Sequence, residues 1–185
     1  MIGVRKIPKD AAFKVIIFGE GAVGKTSLTR RYLFNTFETG TKMTIGVDFF
    51  LKDVVVEGKN VTLQIWDFAG EEKFRALIPS YVSGSAGGIF MYDITRYSTI
   101  VHMDEWIQLV RKKMQEEGRD IPIFMVGGKA DLAETVRDVQ RDEAIKIAES
   151  QGFVGFSECS AKTGENVNKI FDAITRKMLE AAGFI

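Results

Sequence analysis

Short apolar runs alternate along the chain with segments in which apolar residues recur at helical spacing. Runs that are short, β-branched or bounded by glycine are predicted as strands, and they cover residues 13–19, 46–56, 61–67, 87–94, 121–128 and 155–161. Helices are expected over residues 25–33, from an N-cap at Ser98 to Gly118, around 139–150 and over about 165–181. The last helix has one apolar face, formed by Val167, Ile170, Phe171, Ile174 and Met178.

The order of these elements predicts an α/β fold. Alternation of strands and helices favours a six-stranded, mostly parallel sheet with helices on both faces. The sequence EGKN at residues 57–60 suits a tight hairpin and adds one antiparallel strand. Because ligands of such sheets bind beyond the carboxyl ends of the strands, the residues that follow the strands are the candidates for a binding site.

Composition narrows the class of protein. The 185 residues fit one domain, predicted over residues 13–181 between a short N-terminal extension (1–12) and a tail (182–185). Lys and Arg number 25, as do Asp and Glu, so no global charge favours nucleic acid. A single cysteine and the lack of any apolar run of about 18 residues predict a reducing, cytoplasmic location without a transmembrane segment. The printed C-terminus has no cysteine for lipidation, and membrane association stays open.

The sequence GEGAVGKT at residues 19–26 carries the strongest chemical signal. It matches the pattern G-x-x-x-x-G-K-[ST] between a predicted strand and a predicted helix, which is the context that a phosphate-binding loop requires. Glycines let the backbone N–H groups turn toward phosphate oxygens, and the helix adds the positive end of its dipole. Lys25 is expected to reach the terminal phosphates, and the Thr26 hydroxyl to bind Mg²⁺. The fold predicted is therefore that of a P-loop NTPase.

From residue 13 to about residue 179 the chain resembles the Ras superfamily of small GTPases, and its Rab branch in particular. Besides the phosphate loop, four further motifs follow in the family's order: TIGVDF (44–49), LQIWDFAGEEKF (63–74), MYDIT (91–95) and CSAKTG (159–164). GGKAD (127–131) stands where the family reads guanine. The resemblance implies a switch that binds GTP or GDP with Mg²⁺ and hydrolyses GTP slowly.

Site residues follow from this resemblance, position by position. The implied nucleotide-binding residues are Gly19, Gly21, Ala22, Val23, Gly24, Lys25, Thr26, Ser27, Phe37, Thr44, Gly70, Lys129, Asp131, Ser160, Ala161 and Lys162. The implied metal ligands are Thr26, Thr44 and Asp67, and the implied catalytic residues are Lys25, Gly70 and Glu71. Taken singly, four of these residues have plainer interpretations: a helix cap for Asp67, a core residue for Phe37, and a solvated surface pair for Lys129 with Asp131.

Partners are implied by the resemblance alone. Phe49, Trp66 and Tyr81 match an aromatic triad that Rab proteins present to effectors, although as single residues they would more often belong to a core. TIGVDF (44–49) resembles the family's switch I, and LQIWDFAGEEKF (63–74) resembles the strand that leads into switch II. Thr44 lies in a polar segment that would order only when a γ-phosphate is present, and the two switches are the expected effector surface. An exchange factor and an activating protein are further expected partners.

Two residues depart from the family pattern. Glu71 replaces the usual glutamine after D-x-x-G, so the side chain accepts hydrogen bonds and donates none at neutral pH. Gly128 replaces an asparagine that would brace the phosphate loop, and restoring asparagine there is expected to slow GDP release. These departures leave open a second function, a GTPase-like scaffold that does not hydrolyse GTP. A small-molecule P-loop kinase is disfavoured because the chain has no insertion for a second substrate pocket.

Overall fold

The computed structural model describes residues 8–40 and 43–185. Two parts of the sequence predictions lie outside the described residues: positions 1–7 of the N-terminal extension and positions 41–42 of the segment before Thr44.

The fold is a single sheet with helices on both faces. The strands are β1 (Ala11–Phe18), β2 (Val47–Val56), β3 (Lys59–Phe68), β4 (Gly87–Asp93), β5 (Ile123–Gly128) and β6 (Gly155–Glu158). The helices are α1 (Lys25–Phe34), α2 (Ile78–Val82), α3 (Ser98–Val101), α4 (Met103–Glu116), α5 (Ala133–Val136), α6 (Arg141–Ser150) and α7 (Val167–Ala181). Short 3-10 helices cover Glu72–Leu77 and Ala130–Leu132.

Strand order confirms the predicted sheet. The six strands follow the order β2-β3-β1-β4-β5-β6, and only the β2–β3 pair is antiparallel. The predicted hairpin is also present, with positive φ at Glu57 and Gly58, as a two-residue type I′ turn requires. Strands β4 and β5 are buried along their whole length, which explains their continuous apolar sequences.

Two hydrophobic clusters fill the two sides of the sheet. One includes Leu28 of α1 and Phe171 of α7, and the predicted apolar face of α7 is buried in it. The other includes Trp106 of α4 and Ala144 of α6. Because both sides of the central strands are covered, the accessible part of the sheet is the edge where the carboxyl ends of the parallel strands emerge.

The helix expected from Ser98 to Gly118 is interrupted. Ser98 is the first residue of α3 and not its cap; the N-cap is Tyr97, whose N–H donates to Asp138 Oδ2 at 2.6 Å. The helix is then interrupted at His102, and α4 begins at Met103. The short helices α2 and α5 were not predicted from the sequence, because segments of four or five residues contain too little periodicity to detect.

Candidate nucleotide-binding site

The phosphate loop folds as a tight turn between β1 and α1. Gly19 and Gly24 have φ of 135° and 104°, and a Cβ on Gly19 would lie 2.2 Å from the Met91 carbonyl oxygen. Only glycine tolerates that approach. The Lys25 ammonium donates to the carbonyl oxygens of Gly19 at 2.8 Å and Glu20 at 2.6 Å, so the loop itself positions the lysine.

Three oxygen-bearing side chains converge beside Lys25. The Thr26 hydroxyl donates to Asp67 Oδ2 at 2.6 Å, and the Thr26 and Thr44 hydroxyl oxygens are 2.7 Å apart. Asp67 is fully buried, and its Oδ1 has no hydrogen-bond partner among the described residues. An unpaired buried carboxylate oxygen next to two hydroxyls fits a hard divalent cation such as Mg²⁺, which takes oxygen ligands.

Burial shifts both charged groups of this cluster toward their neutral forms. Desolvation raises the pKa of Asp67 to about 6, opposed by the Thr26 hydrogen bond and the charge of Lys25. Desolvation likewise lowers the pKa of Lys25 to about 8, opposed by Asp67 and Glu20. A cation beside Asp67 and an anion beside Lys25 would each favour the charged form, so the pair is suited to a metal–phosphate ligand.

A second group of residues lies at the ends of β5 and β6. Asp131 accepts a hydrogen bond from the Ser160 hydroxyl at 2.6 Å, and Lys129 forms an ion pair with the buried Asp93 at 2.6 Å. Lys129 and Asp131 are thus not the solvated pair that they could have been. From α1, the Arg31 guanidinium donates to the backbone of the loop after β6, which fixes that loop against the phosphate side of the site.

These groups surround one cavity of about 480 Å³. Every nucleotide-binding residue named from the sequence lines it, except Gly19 and Ser160. Those two lie behind the wall, where Gly19 orients Lys25 and Ser160 orients Asp131. Asp67 also lies behind the wall, inside strand β3, which rules out its alternative role as a helix cap. Phe37 is 37% exposed at the cavity and is not a core residue.

The start of switch II closes one side of the cavity. A Cβ on Gly70 would lie 2.3 Å from the Glu20 carbonyl carbon, so this glycine packs directly on the phosphate loop. Glu71 lines the cavity, and its carboxylate forms an ion pair with Lys73 at 2.7 Å. Lys73 therefore offsets part of the negative charge that Glu71 brings to the site.

Sequence reasoning missed several residues that hold the site together. The Glu20 carboxylate accepts hydrogen bonds from Arg75 at 2.6 Å and from the Trp106 indole at 3.0 Å, which ties the phosphate loop to switch II and α4. Arg96 donates to the Gly21 carbonyl at 2.5 Å. No motif marks such residues, because their role depends on contacts between positions far apart in the sequence.

The fold and this loop define a P-loop nucleotide-binding protein. A family model described as the Ras family matches residues 14–180, and the chain belongs to that family. The chain is similar to "Ras-related protein Rab-4" of Dictyostelium discoideum, with 43% identity over 166 residues that cover 90% of this chain and 78% of the relative. It is therefore a Rab-like small GTPase, a guanine-nucleotide-binding switch of the Ras superfamily.

Among the described residues, neither a membrane-spanning helix nor a metal-binding group of His, Cys, Asp and Glu side chains is present. No helix among residues 8–40 and 43–185 is long and apolar enough to cross a membrane. The same residues contain no group of three or more His, Cys, Asp or Glu side chains arranged to hold a metal, so the candidate Mg²⁺ site depends on hydroxyls as well as Asp67.

We expect Arg31→Ala to speed GDP release about tenfold. The guanidinium donates at 2.5 Å to each of the carbonyl oxygens of Ala161 and Lys162, and charge-assisted bonds contribute roughly 1.5–3 kcal/mol each. Loss of about 1.4 kcal/mol of this from nucleotide binding corresponds to the tenfold change. The measurement is the dissociation rate of a fluorescent GDP at fixed Mg²⁺. Arg176→Ala is the matched control, because Arg176 pairs with Glu57 far from the cavity. Equal release rates for the two variants would contradict the role given to Arg31.

Proposed function

We propose that the protein binds GTP and GDP together with Mg²⁺ and hydrolyses GTP slowly, as a switch of the Rab type. One observation carries the proposal: the phosphate loop, Thr26, Thr44 and Asp131 line a single cavity, and the Thr26 hydroxyl donates to Asp67, which is buried behind the wall. Candidate sites for phosphate, metal and base around one cavity would match the parts of a nucleoside triphosphate with its Mg²⁺.

The phosphate end is assigned to the loop and Lys25. Backbone N–H groups of Gly21 to Thr26 and the start of α1 would bind the phosphate oxygens, and Lys25, already positioned by two carbonyls, would neutralise their charge. Thr26, Thr44 and Asp67 are the candidates to hold Mg²⁺, which supplies charge neutralisation to the phosphates when bound.

The base end is assigned to Asp131 and the loop after β6. Ser160 occupies one oxygen of the Asp131 carboxylate and orients the group toward the cavity. A carboxylate accepts hydrogen bonds only, so it suits the paired donors of guanine, N1–H and the 2-amino group, which adenine lacks. Lys129, fixed by Asp93, would lie along the base, and the Ala161 N–H would meet the guanine carbonyl.

Hydrolysis would rest mainly on positioning and electrostatics. Gly70 has no side chain, so its N–H would be able to approach the terminal phosphate, and Glu71, which lines the cavity, would orient the attacking water. Because Glu71 accepts hydrogen bonds but donates none, it would lack the donor that glutamine offers to the transition state. We expect slow turnover without an activating protein, because no arginine in the phosphate loop is placed to stabilise the charge of the transition state.

We expect single-turnover hydrolysis of the order of intrinsic Ras turnover, about 3–5 × 10⁻⁴ s⁻¹. Glu71→Ala should change this rate because it removes the acceptor and leaves Lys73 without its ion pair. Glu71→Gln restores a donor but weakens the acceptor, and the direction of its effect distinguishes which property limits the reaction. Glu72→Gln is the control, since Glu72 is exposed and outside the cavity wall. Rates that are unchanged by both Glu71 variants would remove Glu71 from the mechanism.

Effector binding is assigned to the aromatic triad beside the switches. Phe49 and Trp66 are in edge contact with ring centroids 5.2 Å apart, and Trp66 and Tyr81 are 6.0 Å apart. Phe49 is 49% exposed although it is large and apolar, which favours a partner surface over a core role. Because β2, β3 and α2 all adjoin switch I or switch II, a change in either switch would reach this surface.

The second candidate is a scaffold that holds nucleotide without turning it over. Glu71 and Gly128 favour it, since each removes a side-chain amide that the family usually has. The deciding experiment is to identify by mass the nucleotide that co-purifies, then to follow GTP turnover over hours. Bound guanine nucleotide with turnover supports the switch. Bound guanine nucleotide that stays intact supports the scaffold, and bound adenine nucleotide refutes both.

A further inference from the structure

The place where the family has an asparagine is already filled in this protein. Gly128 ends strand β5, is buried, and accepts a hydrogen bond at its carbonyl from the Ile94 N–H at 3.2 Å. A Cβ added there would lie 2.7 Å from the Val23 carbonyl oxygen of the phosphate loop and 2.5 Å from Met91 Cε. The missing side chain has therefore left no empty space, because the backbone of the loop and a neighbouring methionine occupy it.

Met91 lies at the centre of this contact. Its carbonyl oxygen faces Gly19 at the start of the phosphate loop, and its terminal methyl group lies 3.5 Å from the Cβ position of Gly24 at the end of the loop. The residue is 2% exposed and lines the nucleotide cavity. It thus lies beside both ends of the phosphate loop and the base-side strand at once.

Strand register places Met91 and Gly128 on the same face of the sheet. Asp93 of β4 pairs with Gly128 of β5, and Tyr92 pairs with Gly127. Adjacent residues of a strand point to opposite faces, so Gly127 makes room for the Tyr92 ring on one face while Gly128 makes room for Met91 on the other. Met91 itself pairs with Val126, so it lies diagonally across from Gly128 on that face, and the small glycine leaves volume for the methionine side chain.

We infer that Met91 is a positioning residue for nucleotide binding, which joins the phosphate loop to the base-side strand by apolar packing in place of a side-chain amide. The inference rests on the proposed function and deepens it. Contact with a flexible thioether carries no directional hydrogen bond, but it excludes water beneath the loop and resists separation of the two elements.

The inference reverses the expectation from the sequence for Gly128→Asn. With Met91 present, the Cβ of an asparagine at position 128 would lie too close to both the Val23 carbonyl oxygen and the Met91 methyl group. The Val23 carbonyl of the phosphate loop would therefore have to move. Gly128→Asn alone is therefore expected to speed GDP release. When Met91 is also replaced by alanine, the methyl group is gone, and the asparagine amide gains room to reach the loop.

The test is a double-mutant cycle on the dissociation rate of a fluorescent GDP at fixed Mg²⁺. Met91→Ala should release GDP about tenfold faster than the wild type, because a buried methionine replaced by alanine leaves a cavity under the loop. Met91→Leu, which restores volume, should release GDP more slowly than Met91→Ala. The double variant Met91→Ala with Gly128→Asn should release GDP more slowly than either single variant.

Met125→Ala is the matched control. Met125 is fully buried on β5, but it belongs to the cluster on the opposite side of the sheet. Its loss should lower the unfolding temperature as much as the loss of Met91, without the same increase in the GDP release rate. If Met91→Ala does not fold, Met91→Val takes its place, with the same direction of change expected.

The possible results separate this inference from the proposed function. An unchanged release rate for Met91→Ala, or an equal increase for Met125→Ala, would overturn the positioning role while leaving guanine-nucleotide binding intact. If the double variant releases GDP no more slowly than Met91→Ala, asparagine at position 128 does not use the space left by the Met91 side chain. That result would overturn the claim that Met91 occupies the place of the asparagine. A wild-type protein that retains no GDP would overturn the proposed function and this inference with it.

Discussion

Replacing Asp131 by asparagine is expected to weaken GTP binding by roughly 10²–10⁴-fold and to favour xanthosine triphosphate. Asp131 faces the cavity and is oriented by the Ser160 hydroxyl at 2.6 Å, so the substitution changes the chemistry of the group with little change of shape. Guanine would lose two bonds to a charged acceptor, each contributing about 1.5–3 kcal/mol. Xanthine carries a carbonyl where guanine carries its amino group, and the asparagine amide supplies the matching donor.

Competition binding with GTP, xanthosine triphosphate and ATP measures this change of specificity. Asp142→Asn is the matched control, because Asp142 is an exposed residue at the start of α6 and lies outside the cavity wall. Gain of xanthosine triphosphate together with loss of GTP identifies a contact with the base, whereas general unfolding would lower the affinity for all three nucleotides. Equal affinity of the wild type for ATP and GTP would refute the assignment of Asp131.

Lys25→Ala is expected to lower the affinity for GTP with Mg²⁺ by roughly 10²–10³-fold. Lys25 is 6% exposed, and its ammonium is held by the Gly19 and Glu20 carbonyls, so it is positioned before a phosphate arrives and loses little entropy on binding. Removing one partner of a buried charge pair costs roughly 3–5 kcal/mol. Here the pair would be the lysine and the phosphates, with Asp67 left as an uncompensated buried carboxylate.

Isothermal titration with GTP at high and low Mg²⁺ measures the effect. Lys25→Met keeps much of the side-chain volume and removes the charge, so a loss equal to that of alanine shows that charge decides. Thr26→Asn, by contrast, should reduce affinity mainly at high Mg²⁺, since Thr26 belongs to the oxygen cluster with Thr44 and Asp67. Lys14→Ala controls for removal of a partly buried lysine elsewhere, as Lys14 donates to the Ser83 carbonyl. If the Lys25 and Thr26 variants bind GTP with Mg²⁺ as tightly as the wild type does, the assignment of the phosphate loop is refuted.

The sequence by itself determined the class of fold and the main parts of the candidate site. Periodicity separated strands from helices because burial imposes a repeat of two residues in strands and 3.6 in helices. The phosphate loop was recognisable because its chemistry depends on consecutive residues: glycines for the turn, then Lys25 and Thr26 at a fixed spacing. Asp131 was assigned from the resemblance of GGKAD (127–131), at the end of a predicted strand, to the segment with which the family reads guanine.

Only the tertiary structure decided how these parts support one another. The bonds from Arg31 to the loop after β6 and from Arg75 to Glu20 join residues distant in the sequence, so no local pattern records them. Gly128 shows the limit most clearly. In the sequence it is a missing amide and a weak point, whereas in the fold the Met91 side chain and the Val23 carbonyl lie against it. Whether a glycine leaves a gap depends on what the neighbouring strand and loop place there, and that depends on the packing of the whole sheet.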